Sequence, residues 1–110
     1  MIIATRLLVL RDKGHDIPIP IQIHAPEKVE ARWDCRFEIG WPDGEAARWG
    51  SGVDAIQALL IAMQMIGAEI YASDHHRSGC LVWFEPGRGY GFPVTNNIRD
   101  LLVGDDKKFF

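Results

Sequence analysis

The chain has 110 residues, 47% hydrophobic and 25% charged, with a formal net charge of −3. Such a length carries one domain with a core that needs neither disulfides nor metal, in the composition range of ordinary globular proteins. The acidic balance, with basic residues scattered and forming no run, argues against a nucleic-acid partner.

The first ten residues lack a basic start followed by an unbroken apolar stretch, because Arg6 sits in the middle. No secretory signal is read there, and two cysteines, Cys35 and Cys80, suit a reducing cytoplasm. Residues 3–11 and 15–23 predict a hairpin joined by Asp12-Lys13-Gly14, a three-residue loop with glycine in the left-handed position. That loop pairs Arg11 with His15, Val9 with Ile17, Leu7 with Ile19, Thr5 with Ile21 and Ile3 with Ile23. Pro18 and Pro20 then turn their nitrogens away from the first strand, which makes the second an expected sheet edge.

After a polar connection, Trp33, Cys35, Phe37 and Ile39 alternate with Asp34, Arg36 and Glu38, the pattern of a half-buried antiparallel strand. Pro42-Asp43-Gly44 repeats the loop and pairs Trp41 with Glu45, Ile39 with Ala47, Glu38 with Arg48 and Phe37 with Trp49. This layout requires Trp49 in the core and Pro18 on an outer strand.

The longest apolar run, Ser51–Ser73, predicts a helix. Ser51 is one N-cap; Asp54, with Gln57 completing a capping box, is the other. Ile56, Leu59, Leu60, Met63, Ile66, Gly67 and Ile70 share one face, while Asp54, Gln57, Gln64 and Ala68 lie opposite beside Ile61 and Met65. Polar interruptions and missing aromatic-basic flanks argue against a membrane span. Beyond it come the loop Asp74–Gly79, a strand Cys80–Phe84, a glycine turn, an extended piece Tyr90–Val94 and a short helix Asn96–Val103. The fold class is α+β: an antiparallel meander of two hairpins and a later strand packed on one long helix. Residues 1–104 form the expected domain and 105–110 a flexible tail.

His75 and His76, with Cys80 or His24, would supply imidazole and thiolate ligands to a metal, but adjacent side chains diverge and no paired-ligand spacing supports them. Cys35 and Cys80 read as core thiols, and Gly87–Gly91 as a turn. Trp33, Trp49 and Trp83 are candidates for an aromatic ligand pocket, with core packing the competing role. Ile61, Met65, Phe109 and Phe110 are surplus apolar residues suited to self-association or a protein partner. No catalytic residue, metal or cofactor is assigned. The expectation is a non-enzymatic domain acting through protein contacts. A small-ligand module is the alternative, and a metal-dependent enzyme using His75 and His76 a weaker one.

Gly52-Val53-Asp54, Gln57-Ala58-Leu59, Ile66-Gly67, Tyr71-Ala72-Ser73 and Gly91-Phe92-Pro93, with two N-terminal strands of which the second carries prolines, are the most distinctive stretches. Through them the chain resembles an uncharacterised bacterial family of domains of unknown function. The resemblance covers most of residues 2–94 and implies a small soluble domain with no catalytic residues to carry over.

Overall fold

The computed structural model describes residues 1–110. Six strands form one antiparallel sheet: β1 (Ile2–Asp12), β2 (His15–His24), β3 (Glu27–Val29), β4 (Arg32–Trp41), β5 (Gly44–Gly52) and β6 (Leu81–Val82). Across the sheet the order is β6, β1, β2, β4, β5, with short β3 continuing the line of β2 against β4. The long helix α1 (Ala55–Ala72) crosses one face. It leads into α2 (Asp74–Arg77), and the chain ends in a 3-10 turn at Asn96–Leu101 and α3 (Gly104–Phe109). The α+β class expected from the pattern is the fold observed.

Both hairpins differ from expectation by one residue. Lys13 and Gly14 each take positive φ, 49° and 81°, so the first turn holds two residues and Asp12 pairs with His15. A one-residue slip sends every β1 side chain to the other face. Leu8 and Leu10 are therefore buried with Ile19, Ile21 and Ile23, while Leu7 is 54% exposed. The second turn likewise keeps only Pro42 and Asp43, pairing Trp41 with Gly44 and Arg36 with Trp49. Trp49 lies on the solvent face under the Arg36 guanidinium, 5.1 Å from its ring.

Nor is β2 an outer strand, since β4 pairs with it from Ile21 to Ile23. The prolines end that ladder: Pro20, next in line, offers β4 no N–H. The expected alternation of β4 holds, with Cys35, Phe37 and Ile39 fully buried.

Asp54, not Ser51, caps α1, its carboxylate accepting from Gln57 N at 2.8 Å while the Gln57 side chain accepts from Val53 N at 2.7 Å. Ser51 belongs to β5 and donates to Asp34. Ala58, Ala62, Ile66 and Ile70 carry the packed face of α1. Its Gly67 flank is covered by the chain's own Pro93–Val94. The residues expected to trail free are docked instead: Asp106 in α3 is buried, and Phe110 packs against the core.

Candidate functional site

Alternation from the turn sets which backbone groups of β1 face β2. Asp12, Leu10, Leu8 and Arg6 turn theirs inward, while Val9, Leu7 and Thr5 turn theirs to the opposite side. On that side β6 reaches only Val9 and Leu10, with Arg11 N donating to Cys80 O. Thr5 and Leu7 are left without a neighbouring strand.

The cause lies in the chain after β6. Glu85 N donates to Trp83 O at 2.8 Å, closing a three-residue turn with Phe84 at its apex. Phe84 adopts a φ of 61°, a conformation a bulky residue occupies only under strain, and the residue is 83% exposed. The chain thus swings away from β1 just where a longer strand would have covered Leu7 and Thr5. Met1, Ile2, Ile3, Leu7 and Phe84, all exposed, lie on or beside this unpaired stretch.

The site is held rigid from the helix side. Arg6 extends beneath β1, its guanidinium 4.1 Å above the Trp83 ring and 4.8 Å from that of Phe92. It donates to the carbonyls of Tyr90 (3.1 Å) and Gly91 (2.9 Å). The N–H groups of the same two residues donate to Asp106, at 2.7 and 2.8 Å. A cation on the carbonyls and an anion on the amides clamp this segment from both ends.

The Tyr71 hydroxyl also donates to Asp106, at 2.5 Å. Burial, then the bond to Asp106, pushes the Tyr71 phenol well above its ordinary value. Burial and the Asp106 charge push Tyr90 up to about 12. Arg6 is lowered by burial, with the Asp106 charge acting the other way.

His76 closes the network, its Nδ1 lying 2.5 Å from the Tyr90 hydroxyl. Burial, then the Arg77 charge, lowers its pKa below the ordinary 6.5. The unfolded chain therefore takes up a proton where the folded chain does not. This contribution to stability is complete above the unfolded value near 6.5 and declines as pH falls through it, levelling off below the folded value. Melting temperatures across about pH 5 to 7.5 should fall less steeply with acidification in His76→Gln than in the parent. Equal slopes would remove His76 as the cause.

The two neighbouring histidines diverge. His75 stacks on Trp41, ring centroids 5.1 Å apart, and approaches Asp43 at 3.4 Å. No three His, Cys, Asp or Glu side chains are grouped to hold a metal ion. The largest cleft, about 530 Å3, lies beside His75, with Trp41, Glu69, Asp74 and Arg77 in its wall. Its ionisable groups already have partners: Glu69 pairs with Arg48, Asp74 with Arg77, and Asp43 lies against the His75 ring.

The three tryptophans do not converge. Trp33 packs at the core margin, Trp49 lies on the outer face and Trp83 stands behind β1. Cys35 is buried, with its thiol pushed up by desolvation, and Cys80 is half-buried; both are free. Ile61 and Met65 are half-buried, and the large apolar residues that α1 exposes are Ile56 and Leu60. Phe109 is 75% exposed. Sequence reasoning missed Arg6, Phe84 and Asp106. The first was read as outward-facing by the slipped register, and the second needed a backbone angle that phenylalanine does not advertise. The third was one acid in an unpatterned tail.

No curated protein and no solved structure matches the chain. A family model, described as a domain of unknown function (DUF6968), matches residues 4–94, which span β1 to the clamped Tyr90–Gly91 segment but stop short of Asp106. The chain belongs to this family of domains of unknown function.

Proposed function

We propose that the domain acts by contact with other polypeptides and not by catalysis, with β1 accepting a β-strand from its partner. The observation that carries this is the pair of unmatched backbone positions, Thr5 and Leu7, beside a strained and exposed Phe84. Exposed strand edges are normally blunted by charge, proline or a bulge, because their free N–H and C=O groups template further pairing. The opposite edge, β5, carries Glu45 and Arg48. Along the part of β1 that β6 leaves unpaired, only a bulge at Ile3 interrupts the edge, and the one charge there, Arg6, is drawn to the helix side. Addition of a strand would satisfy the free groups and cover the apolar fringe together.

The ligand-module alternative is less well supported, since the largest cleft has its ionisable groups paired and the cleft at β1 measures only about 170 Å3. A photo-crosslinking side chain at Leu7, activated in living cells, is expected to yield a discrete adduct. The same group at exposed Asp100 should yield none. No Leu7 adduct, or equal adducts from both positions, would overturn the reading.

A further inference from the structure

Resting on that reading, we infer that the strand β1 accepts is β1 of a second copy, paired antiparallel with Thr5 on the two-fold axis. A symmetric pairing must set the strand against its own reverse, and few centres survive that test. Centring on Arg6 would oppose two guanidinium-bearing residues across the axis, an unfavourable like-charge pair. Centring on Leu7 would require the Val9 backbone, which β6 already occupies. Centring on Ala4 would leave no hydrogen-bonded pair clear of the irregular N-terminal end, because Thr5 would face the partner's bulged Ile3 and Leu7 its Met1. Centring on Thr5 keeps the central pair clear and brings only Leu7 against Ile3. Thr5 remains.

With Thr5 central, each Thr5 would exchange both backbone hydrogen bonds with its twin, since its N–H and C=O face outward. Leu7 would then face the partner's Ile3, an apolar pair on the open face of the sheet. Arg6 would face the partner's Ala4, so no charge meets a like charge. Phe84, at the end of the unpaired stretch, would fall beside the partner's exposed N-terminus. One sheet would run through both subunits. A strand this short buries less than the standard interface by its backbone alone, so its apolar fringe must supply the rest and association is expected at micromolar concentration.

Sedimentation velocity over a wide concentration range is the test, with three substitutions at the exposed Thr5. Thr5→Pro removes a donor that β2 does not use, and Thr5→Glu puts two carboxylates across the axis; each should weaken self-association about a hundredfold or more. Both should leave the melting temperature of the dilute monomer close to the parent. Thr5→Cys in a Cys80→Ser background should form a disulfide-linked dimer on mild oxidation, because paired Cα atoms at such a site lie about 5.5 Å apart. A parent monomeric at every concentration, or a dimer indifferent to both Thr5→Pro and Thr5→Glu, would overturn the inference. A Leu7 photo-adduct to a different protein, with Thr5→Cys remaining monomeric, would overturn the second copy while sparing the strand-accepting edge.

Discussion

Replacing Asp106 with alanine is expected to destabilise the fold by about 3–5 kcal/mol, the cost of removing one partner from a buried charge-assisted network. Asp106 is 1% exposed and accepts three hydrogen bonds, from Tyr71 Oη, Tyr90 N and Gly91 N. Alanine would leave the Tyr90 amide and the Tyr71 hydroxyl buried without their acceptor, and would remove the carboxylate charge that acts on Arg6. For a domain of this size the melting temperature should fall by roughly 12–20 °C. Asp106→Asn keeps the shape but offers one acceptor oxygen, so it should fall between the alanine variant and the parent. Deleting the residues after Val103 removes the same carboxylate and should cost at least as much as Asp106→Ala. Thermal unfolding of the three proteins measures this. An Asp106→Ala melting temperature within a few degrees of the parent would mean that the clamp contributes little.

The same residue marks where sequence reasoning stops. Asp106 has no periodicity around it and no motif, and its partners lie 15 to 35 positions away. Only the docked tail reveals it. By contrast, β4 announces itself through strict alternation, and the Asp54 and Gln57 pair marks the true start of α1 as one of two readings.

The registers failed for a shared physical reason. In β1 both faces are apolar, Leu8 and Leu10 on one and Ile3, Leu7 and Val9 on the other, so hydrophobicity could not choose between them. The natural arbiter was the arginine, and in each hairpin it misleads. Arg6 and Arg48 both lie on the helix side and carry their guanidinium groups past the core margin, Arg6 to two carbonyls and Arg48 to Glu69. The prolines could not arbitrate either. In both registers His15 begins as a bonded pair, so Pro18 and Pro20 face away from β1 in each. Lys13 at positive φ costs on the order of 1 kcal/mol, and burial of Leu8 and Leu10 outweighs that. The slip also hid the candidate site, since it placed Leu7 in the core.

Gly50→Ala is the second large effect, an expected loss of about 3 kcal/mol. The helix-facing positions of β5 shrink along the strand, from Arg48 to Gly50 to Gly52, so α1 approaches the sheet most closely near its N-terminus. A Cβ on Gly50 would sit 2.4 Å from Ala62 N, 2.7 Å from Ala62 Cα and 2.8 Å from Ala58 O. All three are main-chain atoms of the helix, and none can rotate aside. Either the whole helix lifts, opening voids along Ile66 and Ile70, or the strand bends out of its ladder with β4. Lower unfolded-state entropy returns at most about 1 kcal/mol. Because the obstacle is backbone, Ala62→Gly should not rescue Gly50→Ala. It should lower stability further, by about 1 kcal/mol of helix propensity. Urea unfolding of both single variants and the double completes the cycle. A double variant as stable as the parent would show that side chains, not the helix backbone, set the distance between α1 and β5.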